Sequence, residues 1–230
     1  LNLCFETREG ILKHCAFKNA QELGDVGRRF IDNQRPSLEA QLANVADGLA
    51  YNNHDIDDGL RSGLLQLEDM TDLPIFGQHL RDVAKEYPSI GVHRRISESI
   101  RRTVNSFVVD LTNESDRLIN EASPSSLQDV RESCELIRFS EAMEGKHREL
   151  QEYLHKHLYR HYKVQRMADK AKRVVRNLFK AFEDDPGLLP PRYQVQARVD
   201  TPRAISDYIA GMTDRYAMKE YRQIFLIDPV

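Results

Sequence analysis

Two carboxylates and a tyrosine recur at intervals of four in one stretch of this chain, as Asp47, Tyr51 and Asp55. On an α-helix the positions i, i+4 and i+8 lie along one face, so the three side chains would form a row about 12 Å long. An acid taken out of water must be paired, hydrogen-bonded or bound to a metal ion, which makes such a row a candidate site. Leu38, Leu42, Val45 and Leu49 fall on a neighbouring stripe that would seat the helix against a core. A solvated polar helix face has the same spacing, and spacing alone leaves both readings open.

The elements that would position this row are helical. Helical periodicity runs from end to end, and the pattern predicts an all-α protein with helices over about 7–15, 37–53, 57–68, 74–86 and 92–122. Pro36 before Ser37, with Glu39 in the first turn, reads as a helix start. Ser123-Pro124-Ser-Ser ends the long fifth helix and is the best boundary, giving units 1–123 and 124–230. Beyond it the pattern predicts helices over 127–144, 146–159, 162–182, 203–213 and 214–225. Residues 188–191 read as a connector, and 192–200 is unassigned.

Composition narrows the class. A hydrophobic fraction of 40% supports a globular chain, and 30% charged residues with only 11 glycines favour exposed helices over a sandwich or barrel. The net charge of −3 singles out neither a general nucleic-acid binder nor a membrane-surface protein. Charge is nevertheless polarised: residues 146–180 hold 11 Lys or Arg against 3 acids, which leaves −11 for the remainder. That basic stretch, interleaved with Tyr153, Tyr159 and Tyr162, could meet a nucleoside triphosphate or single-stranded DNA, or could pair with acidic surface. His147, His155, His157 and His161 lie within it, without a carboxylate at a ligand interval that would make them a metal site. Cys4, Cys15 and Cys134 are odd in number and include no Cys-x-x-Cys, so reduced thiols in a cytoplasmic protein are expected. No run of about 18 apolar residues suggests a membrane span.

Several motifs in order carry a family resemblance. They are Leu1-Asn-Leu-Cys-Phe-Glu6-Thr-Arg-Glu9-Gly10-Ile-Leu-Lys13-His14, Ser37-Leu-Glu-Ala-Gln, Tyr51-Asn-Asn-His-Asp-Ile-Asp-Asp-Gly59 and Leu158-Tyr-Arg-His161, followed by Lys170-Ala-Lys-Arg-Val-Val-Arg176-Asn-Leu-Phe179, Leu189-Pro-Pro191 and Asp207-Tyr-Ile-Ala-Gly-Met-Thr-Asp214-Arg-Tyr-Ala217. Over nearly its whole length the chain resembles the HD-domain deoxynucleoside triphosphate triphosphohydrolases, the dGTPase family. The resemblance implies part of a multi-helix HD-type bundle with a C-terminal helical associated region.

It also implies a divalent metal ion, Mg²⁺, Mn²⁺ or similar, held by a His, a consecutive His-Asp pair and a later Asp. The later Asp corresponds to Asp47. Tyr51 and Asp55 correspond to residues that meet the sugar. An arginine on the helix after the metal Asp contacts the triphosphate in this family, and Glu98-Ser-Ile-Arg101-Arg102-Thr-Val resembles that region. Adjacent arginines point about 100° apart, so one of the two can face a site, and Arg101 is the choice; a surface salt bridge is the alternative. His54-Asp55 spells His-Asp but does not stand where the family's metal-binding pair stands, and His54 reads as a helix-surface residue. Gly211 is expected to allow close helix packing, with Tyr208 or Asp214 as lesser candidates near the nucleotide and Lys13-His14 near the same pocket.

In the family, the first His, the His-Asp pair and the catalytic acid-base residues precede the segment that resembles residues 1–14. The expectation is therefore a C-terminal part of a longer enzyme that converts a deoxynucleoside triphosphate to deoxynucleoside and tripolyphosphate, with the isolated part inactive. Family members often assemble as rings, commonly hexamers. The rival expectation is a non-catalytic helical module that regulates or binds single-stranded nucleic acid.

Overall fold

The computed structural model describes residues 2–12 and 15–226, in twelve α-helices and with no strand among the described residues. The all-α expectation holds. Lys13 and His14 lie outside the described residues. The chain divides into two compact units, Leu1–Leu158 and Tyr159–Val230.

The first unit holds α1 (Phe5–Ile11), α2 (Phe17–Glu22), α3 (Arg28–Ile31), α4 (Leu38–Arg61), α5 (Phe76–Glu86), α6 (Val92–Ala122), α7 (Leu127–Glu132) and α8 (Glu141–Leu154). Helix α4 starts where its caps require: the Ser37 hydroxyl accepts from the Ala40 amide at 3.3 Å, and Glu39 sits in the first turn. It then runs through 53–57 without the expected break. It stops at a tight reversal in which the Gly59 carbonyl accepts from both Leu64 N and Leu65 N, and Gly63 takes φ +68. Helix α6 packs against α4 and α5, and Phe107 and Leu111 of α6, Leu49 and Ile56 of α4, and Phe76, Leu80 and Val83 of α5 are all buried. It ends at Ser123, in the left-handed region at φ 43, just before Pro124.

The pattern over 127–144 suggested one helix, but the chain forms short α7 and then an extended stretch up to Ser140. Leu136, Ile137 and Phe139 are buried there, and their neighbourhood has no backbone partner strand. The amides are instead taken up by distant side chains. Gln41 Oε1 accepts from Leu136 N and Ile137 N, Ser115 Oγ from Arg138 N, and Asp110 from both the amide and hydroxyl of Ser140. These bonds and the α4–α8 packing hold the residues after the serine-rich joint within the first unit. Helix α8 continues as a π-helical turn, His155–Tyr159.

The second unit is built from α9 (Tyr162–Asp184), α10 (Pro191–Ala197), α11 (Thr201–Ala210) and α12 (Asp214–Phe225). Its core is Val174, Leu178, Phe182, Leu189, Ala197, Ala204, Ile205 and Tyr208. Pro191 and Pro202 each occupy a first helical turn, where a missing N–H costs nothing. The stretch left unassigned after Pro191 thus contains a helix. Gly211 is not a close-packing point: it caps the end of α11, and an added Cβ would meet only ordinary contacts at 3.5 Å. Tyr208 is a core residue whose hydroxyl meets Tyr216 and Glu220, and burial pushes its pKa up.

Gln41→Ala should destabilise the first unit by about 3 kcal/mol in urea unfolding, because two buried amides lose their acceptor. A loss below about 0.5 kcal/mol would show that the 136–137 amides find another partner.

Candidate functional site

Helix α4 presents the row found in the sequence on its outer side. Asp47 is exposed, Tyr51 is 63% exposed and Asp55 is half-buried one turn further on. The opposite face carries Gln41, Leu49, Asn52, Asn53, Ile56 and Gly59, all buried. This differs from the expected leucine stripe: Leu49 is buried, Leu38 and Val45 are half-buried, and Leu42 is exposed. The helix is turned so that its amides, more than its leucines, enter the core. His54 is on the surface, as expected.

Asn52, next to Tyr51 but about 100° around the helix, fixes that turn. Its side-chain amide donates to His147 Nε2 at 2.8 Å, across to α8. The His147 ring is wedged among aromatics, with centroids 5.4 Å from Phe107 and 5.3 Å from Phe139. Accepting at Nε2 requires a neutral ring protonated at Nδ1. Burial pushes the His147 pKa below its ordinary value, against the opposing pull of Glu144. Asn53 adds a bond from its amide to Leu49 O at 2.8 Å.

Arg101 lies on α6, turned away from the buried Ser99, Thr103 and Phe107. Its guanidinium forks onto Glu98 with bonds of 2.8 and 2.7 Å, and Arg102 bonds the same carboxylate while also meeting Glu86 at 2.8 Å. Arg101, then Arg102, hold the Glu98 pKa down to about 2, so this pairing stays charged at any physiological pH. Arg101 borders a shallow hollow of about 650 Å³ with Tyr87, His93 and Arg94; no residue of the Asp47 row lines it.

A divalent ion needs several ligands held rigidly. Among the described residues no group of three or more His, Cys, Asp or Glu is placed to hold one. Asp47 offers a single carboxylate, so these residues do not fit a complete metal site.

Residues 137–223 match the phosphohydrolase-associated domain family. The chain is also similar, along nearly all its length, to proteins named deoxyguanosinetriphosphate triphosphohydrolase-like. Identity is 54% over 99% of the chain for the protein of Ralstonia nicotianae, 56% over 98% for that of Bordetella pertussis and 51% over 100% for that of Thiobacillus denitrificans. The chain is thus a relative of these triphosphohydrolase-like proteins, and its residues 137–223 carry the phosphohydrolase-associated domain. It spans 59%, 59% and 61% of the length of those three relatives.

Sequence reasoning found the spacing of the row and missed what supports it from behind. Asn52 and His147 are 95 residues apart, and neither stands in a pattern that announces burial. The basic stretch proves to be mainly the exposed side of α9, where Arg166 lies 5.3 Å from the Tyr162 ring centroid and Asp169 pairs with Arg173 at 2.9 Å. No helix among the described residues is long and apolar enough to cross a membrane.

The neutral His147 makes stability depend on pH. Its folded pKa is depressed, so its stabilisation is complete above about 6.5 and is lost as pH falls below that value, where the unfolded chain binds more protons. His79, bonded to Ser106 at 2.9 Å and likewise depressed by burial, adds a loss of the same sign. Urea unfolding between pH 8 and pH 5 should show stability falling toward acid, and His147→Gln should flatten part of that fall. An unchanged slope in that variant would place the acid sensitivity elsewhere.

Proposed function

We propose that the full-length protein hydrolyses a deoxynucleoside triphosphate to the deoxynucleoside and tripolyphosphate, and that this chain contributes the α4 face on which the nucleotide rests. The observation that carries this reading is the outward row of Asp47, Tyr51 and Asp55 on a helix whose rotation is pinned from behind. The names of its relatives support the same chemistry.

In this reading Tyr51 lays its exposed ring against the deoxyribose. A ribose 2′-hydroxyl would clash there, which disfavours ribonucleotides. Asp55 accepts a hydrogen bond from a sugar hydroxyl and so sets the depth at which the nucleotide sits. Asp47 is this chain's one contribution to a divalent-ion site, with Mg²⁺ or Mn²⁺ as the natural occupants of an oxygen-rich set. Arg101 is a phosphate contact that exchanges Glu98 for phosphate oxygens, which its planar fork suits. Because the described residues offer too few metal ligands, the 230-residue chain alone is inactive. The three free cysteines are in keeping with a reducing cytoplasm.

A second reading concerns the Tyr159–Val230 unit. Tyr162 is 57% exposed beneath Arg166, with Lys163, Lys170 and Lys172 exposed on the same helix, a combination that suits single-stranded nucleic acid. Such binding would weaken steeply with salt.

Tripolyphosphate release by the full-length protein should fall on the order of 100-fold in Asp47→Ala. Arg101→Ala should raise KM more than it lowers kcat. Full activity in the Asp47 variant would remove the assignment, and measurable turnover by the 230-residue chain would overturn its inactivity.

A further inference from the structure

A buried charge cluster in the first unit is left unbalanced. Glu9, 1% exposed, is met by two guanidinium groups: Arg131 Nη2 lies 3.0 and 3.1 Å from its two oxygens, and Arg29 Nε stands 3.6 Å from Oε1. Arg29 is itself 6% exposed and spends Nη2 on the Leu12 carbonyl. Two cations around one carboxylate leave an excess of one positive charge out of water, a costly state unless an anion compensates it. The strain registers on Arg29, whose pKa is lowered chiefly by burial and further by Arg131, with Glu9 only partly restoring it. Arg29 Nε and Glu9 Oε1, 3.6 Å apart, are both buried without a hydrogen-bond partner among the described residues, so this ion pair is a loose one.

Arg29 lines a cavity of about 230 Å³ between the segment before α4 and the first turns of that helix. Gln34, Arg35 and Asn44 also line it, residues whose side chains can donate hydrogen bonds. Gly10 and Ala40 keep bulk out, their facing atoms 3.6 Å apart once a Cβ is added to the glycine. The lining therefore draws possible donors from α3, from the segment before α4 and from α4 itself, which suits an oxyanion. The one opposing charge on the lining is Glu135, which is exposed and so screened by solvent. Ala40 and Asn44 stand on the α4 face that carries Asp47, with Asn44 about 4.5 Å before it along the axis.

We propose that this cavity is a phosphate-binding site, in which Arg29 and Arg35 hold the oxyanion charge and Gln34 and Asn44 orient it. The bound group is a phosphate, either free or at the end of a nucleotide's phosphate chain. The inference rests on the Arg29 cluster and its cavity, and does not require Asp47 to bind metal.

The test is isothermal titration of the 230-residue chain with inorganic phosphate, tripolyphosphate and dGTP in separate arms, so that its result is independent of turnover. Saturable binding of at least one is expected. Tight binding of phosphate alone identifies the free ion, and preference for tripolyphosphate or dGTP identifies the chain. Arg35→Ala and Asn44→Ala, both exposed positions, should weaken binding by about tenfold and several-fold respectively, the loss of a charged and a neutral donor. Glu135→Gln should tighten it by about two- to threefold. Arg29→Lys should abolish binding, and a far-ultraviolet spectrum will show whether that variant still folds. Absence of saturable binding in all three arms, or binding indifferent to Arg35, Asn44 and Glu135 alike, overturns the proposal.

Discussion

The rotation of α4 about its own axis is set by amides in the core. Leucine faces tolerate small turns because dispersion contacts are non-directional, whereas a buried amide must find its partner at a defined distance. Gln41 reaches the 136–137 backbone and Asn52 reaches a neutral imidazole held between two phenyl rings, whereas the bond from Asn53 to Leu49 O stays within α4. Every outward position on that helix follows from these bonds. Asp47, Tyr51 and Asp55 share a face by spacing, but they share the outer face because Gln41 and Asn52 are committed inward.

The same bonds explain what could be read in the chain and what could not. Helices α6, α9, α11 and α12 follow their periodicity and their stop and start residues, such as Ser123-Pro124 and Pro202. The extended stretch before Ser140 was hidden because its amides are satisfied by Gln41, Asp110 and Ser115, all well upstream. Local pattern carries no trace of such partners. The burial of Gln41, Asn52 and Asn53 has the same origin, since amides inside a helix signal burial only when the acceptor is known. Gly211 was misread because a glycine near small residues looks alike whether it caps a helix or admits another backbone.

The Asp47 row was legible as spacing, and the resemblance to triphosphohydrolases gave it a chemical meaning. Its completeness as a site was not legible, since the described residues bring one carboxylate where a divalent ion needs several ligands. Arg101 illustrates a related gap. Its identity suited a phosphate contact, yet its position is governed by Glu98, a turn away and strongly acidic because of that pairing. A further cation, Arg29, gave no signal at all, because its significance comes from Glu9 and Arg131 at distances only the fold creates.

If buried amides set the face of α4, then Asn52 and His147 must act as one unit. A double-mutant cycle with Asn52→Ala and His147→Ala, followed by urea unfolding at pH 8 where the imidazole is neutral, measures this directly. A coupling energy of about 1 kcal/mol or more is predicted, with the double variant little worse than either single one. Strictly additive losses would mean that the two side chains contribute separately and that α4 owes its orientation to something else.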